Sequence, residues 1–187
     1  MPEQNGLRDF EQEVLPHLDA AYNLARWLTR NDQDAQDVVQ EAYLRAFRFF
    51  GGFRGGEARA WLLKIVRNTC YTWLQQNRPQ QPTAEFDEKL FGPDPSAANP
   101  EEALLQNASD KLVRQALEDL PQSSREVLIL REFEGMSYRE ISEVTGMAPG
   151  TVMSRLSRAR SGLRQALTSR VDADILPRPP RIPTLSA

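Results

Sequence analysis

Apolar residues recur every three or four positions along most of this chain, and one proline-rich stretch interrupts the recurrence. That spacing is the period of a helix with one buried face. No run alternates residue by residue as a half-buried strand would. The expected fold is therefore all-α: two small helical domains joined by a flexible linker. Residues 7–29 place Val14, Leu18, Ala21, Ala25 and Leu28 on one stripe. Residues 32–50 place Ala35, Val38, Val39, Ala42, Ala46 and Phe47 on a second. Asp32 and Asp34 open that helix, where its dipole favours negative charge. Gly51 and Gly52 end it, and a loop over 53–59 leads to a third helix over about 60–76, with Leu62, Ile65, Val66, Thr69 and Trp73 as its core stripe.

Residues 77–100, NRPQQPTAEFDEKLFGPDPSAANP, hold five prolines and no helical period, so they read as the linker. The first domain is then 1–76 and the second 101–170. The remainder, 171–187, VDADILPRPPRIPTLSA, reads as a loosely ordered Pro-rich tail.

Charge is unevenly placed along a chain whose net charge is only −3. Residues 31–41 carry Asp32, Asp34, Asp37 and Glu41 with no base, and residues 149–170 carry Arg155, Arg158, Arg160, Arg164 and Arg170 with no acid. An overall basic coat is excluded, but a local basic face is not. Cys70 is the only cysteine and His17 the only histidine, so neither an internal disulfide nor a thiolate metal cluster can form. No cofactor is implied. The N-terminus has no signal-peptide core and no run reaches the length of a membrane span, so the expected setting is the cytoplasm, with no membrane insertion.

The sharpest local signal is MSYREISEVTGMAPGTVMSRLSRARSGLRQAL, residues 136–167. Ser137 and Glu140 have the spacing of a capping box. Gly146 suits the left-handed end of a short helix, and Pro149 suits the first turn of the next. Val152, Leu156, Ala159 and Leu163 then form one apolar stripe against the preceding helix. The pattern is a helix-turn-helix. Its second helix leaves Thr151, Ser154, Arg155 and Arg158 on the outward face, where they suit base edges and phosphates.

A second concentration lies at RAFRFFGGFRGGEARAW, residues 45–61. Aromatic rings stack on unpaired bases, cations follow phosphates, and glycines let backbone come close. Phe53, Arg54, Trp61, Lys64 and Asn68 fall on this loop and one face of the helix after it. Phe47, and with it Phe50, is better read as core, because both lie on or near the apolar stripe.

Taken together, the two blocks resemble the extracytoplasmic-function group of bacterial sigma factors, over about residues 8–169. DAQDVVQEAYLRAFR is similar to the helix these proteins dock on core RNA polymerase. FRGGEARAWLLKIVRNTCYTWL is similar to their segment for melting and reading the −10 promoter element. SREVLILREFEGMSYREISEVTGMAPGTVMSRLSRAR is similar to their −35-reading domain. The resemblance implies promoter DNA and core RNA polymerase as partners, and an anti-sigma factor as regulator. It implies polymerase contacts at Asp37, Gln40 and Glu41, and a −10 pocket at Phe53, Trp61 and Asn68 with Arg54 and Lys64 beside it. It also implies −35 contacts at Arg131, Ser154, Arg155 and Arg158, with Thr151 beside them. Met153 and Ser157 stand where relatives often carry arginine and an aromatic residue. An ordinary helix-turn-helix regulator would give the Phe53–Asn68 constellation no role. A nucleic-acid enzyme would need a metal cluster, P-loop or nucleophile–base pair that the sequence does not display, so the chain is not read as an enzyme.

Overall fold

Pro16 divides what the apolar stripe suggests is one helix. A proline supplies no N–H and tolerates only the first turn of a helix. In the computed structural model, which describes residues 2–77 and 100–175, α1 spans Pro2–Glu13, a 3₁₀ turn covers Leu15–His17, and α2 spans Leu18–Thr29. Val14, Ala21, Ala25 and Leu28 of the expected stripe are buried, but Leu18, at the new helix start, is 46% exposed.

Helix α3 runs over Asp32–Phe49, and the Asn31 side chain caps it by accepting from the Asp34 amide at 3.0 Å. Its stripe is buried as far as Ala46. Phe47 departs from expectation: it is 52% exposed. The reason is the break at Pro16. Helix α1 crosses the end of α3 with Phe10, whose ring fills the core position instead and meets Phe47 edge-on at 5.2 Å. Phe50 is half-buried on the same ring, at 5.3 Å. A 3₁₀ turn over Phe50–Gly52 follows. Gly55 and Gly56 carry the positive φ values of the loop, +81° and +113°, which a side chain would strain.

Helix α4 covers Ala58–Asn77, longer at both ends than the spacing suggests. Leu62, Val66 and Thr69 are buried, with Ile65 and Trp73 at the edge of the core. Ala60, Leu63 and Cys70 are buried as well. They belong to a second covered face, because α4 packs on α2 and α3 from one side and on the second helical unit from another.

The second unit begins with α5, Pro100–Glu118, so Pro100 opens a helix rather than closing the linker. Residues 78–99, the rest of the expected linker, lie outside the described residues. Helix α6, Gln122–Leu128, continues into a π-helical turn at Ile129–Phe133. Helix α7, Tyr138–Thr145, has the expected capping box, with Gly146 at φ +73° ending it. Helix α8 runs from Pro149 to Ile175. It therefore takes in residues 171–175, expected to belong to the tail, and 176–187 lie outside the described residues. Val152, Leu156 and Ala159 are buried against the rest of the unit, and Leu163 is half-buried.

A buried guanidinium joins the two units. Arg125, 4% exposed, donates to the carbonyls of Leu117 at 3.1 Å, Leu120 at 3.0 Å and, across the boundary, Trp27 at 3.0 Å. Burial and the neighbouring Arg30 bring its pKa down to about 10, so it stays charged at neutral pH.

Cys70 lies in this doubly covered part of α4, and burial pushes its thiol pKa up to about 12. At pH 8 a maleimide should leave the native thiol unmodified and label it only as denaturant unfolds the chain. Rapid labelling of the native protein would show that α4 is not covered from both sides.

Candidate nucleic-acid interface

The loop after α3 folds back so that its rings stack beside the start of α4. Phe50 and Phe53 are stacked at 5.8 Å, and Phe53 and Trp61 are tilted at 5.1 Å. Both Phe53 and Trp61 keep part of their surface open to solvent. Beside them is an open depression of about 350 Å³, lined by Phe53, Arg54, Trp61, Lys64 and the backbone of the paired glycines. Rings with free edges, two cations and bare backbone can hold a flat base on a negatively charged strand. The two cations on its rim are both exposed.

Asn68 is not in the lining of that depression. It is exposed about one turn beyond Lys64, where its amide can reach a strand leaving the depression. The rim also holds two carboxylates, Glu57 and Glu143. Glu143 comes from α7, in the other helical unit, and the sequence offered no signal for it.

On α8, Thr151, Ser154 and Arg158 are exposed as expected. The Ser154 hydroxyl donates to the Thr151 carbonyl at 3.1 Å, and Arg158 Nε donates to the Ser154 carbonyl at 3.3 Å. Two expected residues are less free. Arg155 is half-buried and lies within electrostatic reach of Glu126, so its charge does not point wholly outward. Arg131, in the π-helical turn, donates to the Met136 carbonyl at 2.7 Å and lies over the Tyr138 ring at 5.1 Å. Arg160, on the outer face too, is neutralised by Glu132 at 2.7 Å.

A third surface lies on α3. Asp37, Gln40 and Glu41 are all exposed, and Glu41 pairs with Arg45 at 2.7 Å. Gln40 lines an open groove with Leu18, Tyr22, Val39 and Tyr43. The apolar part of this groove escaped sequence reading: Leu18 was counted on the core stripe, and only Tyr43 could have been found as an aromatic residue off it. The Tyr43 hydroxyl donates to the Val14 carbonyl at 3.3 Å, and burial pushes its pKa up to about 12. It remains a neutral donor.

The chain is similar to known proteins in sequence and in fold. Residues 14–80 match the family Sigma-70 region 2, and residues 110–163 match Sigma-70, region 4. The chain is 38% identical to the RNA polymerase sigma-H factor of Pseudomonas aeruginosa over 167 residues, covering 86% of each. It is 34% identical to the ECF RNA polymerase sigma-E factor of Escherichia coli, over 70% of this chain and 72% of that protein. Among solved structures, it resembles the sigma factor RpoE in complex with the anti-sigma factor NepR from Bartonella quintana. The TM-score there is 0.66 at 28% identity, covering 86% of this chain and 98% of that one. It also resembles CnrH in complex with the cytosolic domain of CnrY, with a TM-score of 0.60 at 29% identity over 90% of both chains.

Trp61→Ala should weaken binding of a short single-stranded DNA by about 1–3 kcal/mol, the usual contribution of one stacked base. Fluorescence anisotropy of a labelled oligonucleotide would measure it. Trp73→Phe, at the edge of the core, is the control and should leave binding unchanged.

Proposed function

The chain belongs to the extracytoplasmic-function group of bacterial sigma factors, and we propose that it binds core RNA polymerase through α3 and brings it to promoters by reading two DNA elements. The observation that carries this reading is the pairing of two unlike nucleic-acid faces. An aromatic depression suited to an unpaired strand stands on the unit matching region 2, and a basic helix suited to a duplex stands on the unit matching region 4. An ordinary helix-turn-helix regulator has use for only the second.

In this reading Phe53 and Trp61 stack on an extruded −10 base. Arg54 and Lys64 follow the strand's phosphates, and Asn68 reads a base edge. Thr151, Ser154, Arg155 and Arg158 enter the major groove of the −35 duplex, with Arg131 supporting them. Asp37, Gln40 and Glu41 meet the polymerase, and the groove lined by Leu18 and Tyr43 receives an apolar side chain from it. The assigned boundaries are 1–76 for the first domain, 101–170 for the second and 171–187 for the tail. The chain works as a specificity subunit and not as a catalyst, in the compartment that holds the polymerase. One of its structural neighbours is in complex with the anti-sigma factor NepR and another with the cytosolic domain of CnrY, and an anti-sigma partner, released on a signal, fits this chain too.

Run-off transcription with purified core polymerase tests the reading. The wild-type chain should start transcripts at promoters recovered by mapping starts after its overexpression. Arg158→Ala should lower promoter affinity by about 1–3 kcal/mol and relax selectivity in the −35 element, with opening of the −10 element intact. Polymerase that neither binds the chain nor starts at new sites would refute the function.

A further inference from the structure

Buried carboxylates of the second unit have partners on the first. Glu126, with no exposed surface, accepts from Arg67 Nε at 2.5 Å and from the Tyr71 hydroxyl at 3.2 Å. Glu134, 9% exposed, accepts from Arg59 and from the Asn23 amide, each at 2.5 Å. The side chain that the proposed function leaves without a use is apolar instead, and it stands on the DNA-reading helix. Met153 is 54% exposed at the start of the second turn of α8. On an ordinary surface a lone exposed methionine would carry no meaning, since much of any protein surface is apolar. Here its neighbours, in sequence and one turn away, are Gly150, Thr151, Ser154 and Ser157, all exposed. Val152 and Leu156 are buried and complete the core without it. Among the described residues from 136 to 160, Met153 is the one large apolar side chain left exposed.

Its place on the helix aims it at bases. Helical side chains lean towards the helix N-terminus, so Met153 leans towards Gly150, one turn back. Gly150 has no side chain, and a Cβ built there would meet nothing within 4 Å. The thioether therefore has open space at the N-terminal end of α8, the end that a recognition helix presents to base edges. Ser157, one turn further on, is too short to screen it from the other side. The chemistry then narrows the choice of base. A methionine side chain has no hydrogen-bond donor and only a weak acceptor in its sulfur. It offers nothing to the N7 and O6 acceptors of guanine or to N7 of adenine. In the major groove one base presents an apolar group, thymine, through its C5 methyl.

We infer that Met153 selects a thymine in the −35 element by covering its C5 methyl group. This rests on the function proposed above, and adds an apolar contact to the polar readout given there to Ser154 and Arg158. Contact between the thioether and the methyl takes two apolar surfaces out of water, and an unbranched, polarisable side chain can adjust its rotamers to the methyl's position. A cytosine at the same place would bring an amino group and no methyl, so the contact discriminates between the two pyrimidines. It involves no charge, which separates it from every arginine contact on the same helix.

Deoxyuridine differs from thymidine by that methyl alone and so isolates it. Holoenzyme made from core RNA polymerase and the full chain would be titrated onto promoter fragments recovered by mapping starts. Each thymine of the −35 element, on either strand, would be replaced in turn. For the wild-type chain, replacement at one position should weaken binding about fourfold, the contribution of one buried methyl group. That penalty should hold as salt is raised, while overall affinity falls with the phosphate contacts. Met153→Ala should abolish the penalty at that position, and Met153→Leu, apolar as well, should keep it. Neither change should disturb helical circular dichroism, because the side chain is more than half exposed. Arg158→Ala is the control: it should weaken binding to the thymine and uracil duplexes alike and leave the penalty in place. The assignment is overturned if no position responds to uracil, if the penalty survives in Met153→Ala, or if Met153→Leu behaves like Met153→Ala. Binding that responds to Arg158→Ala but not to uracil overturns the thymine assignment alone. A holoenzyme that binds none of the fragments refutes the proposed function, and the thymine assignment falls with it.

Discussion

The Glu126 carboxylate is the group on which the arrangement of the two units turns. A carboxylate without exposed surface must be met by charge and hydrogen bonds or become neutral. Burial raises its pKa, while Arg67 and Tyr71 act in the other direction by binding the ionised form. Both partners lie on α4, so the requirement to satisfy one acid in the second unit fixes where that unit sits on the first. The rest follows from that seat. Leu63 and Cys70 lie buried on the side of α4 that faces the second unit, Arg125 reaches the Trp27 carbonyl, and Glu143 of α7 arrives at the rim of the aromatic depression. Strength is not what such a pair adds. Well-packed apolar side chains of similar volume would often hold as firmly or better. A charged pair gives a defined register and can come apart into water without leaving a large apolar surface.

Helix α4 has three faces with three uses. One completes the core of the first unit through Leu62, Val66 and Thr69. A second is covered by the other unit. The third carries Trp61, Lys64 and Asn68 into solvent. A helix that must be apolar on one side, mixed on the next and open on the third shows a blurred amphipathic pattern. That is why its core could be only half read from spacing.

What was legible in the sequence was local. The Ser137–Glu140 box, the turn at Gly146 and the Val152–Leu156–Ala159 stripe each depend on residues within a few positions of one another, and all stand as expected. The aromatic loop was legible because glycines and rings are concentrated there. Phe47 was misjudged because the crossing of α1 decides its burial, and the break at Pro16 sets that crossing. Asn68 follows the expected helical face but falls outside the depression, because the loop folds against the first turn of α4 rather than the third. Arg155 and Arg131 are less free than their pattern suggested, because their partners come from other turns of the fold. The pairing of Glu126 with Arg67 joins residues 59 positions apart, and periodicity within one helix carries no information about it.

The π-helical turn at Ile129–Phe133 gives chain length an importance of its own. A π turn is an α-helix holding one residue more than its period allows. Here the surplus residue lies between Glu126 and Glu134 and helps set the phase at which the two acids face the arginines on α4. Deleting a single residue from this turn would relax the helix to its ordinary period and rotate Glu134 away from Arg59, with neither partner substituted. Among relatives or grafted chimaeras, the count of residues across this turn is therefore as much a determinant of how the halves meet as the identity of any one of them.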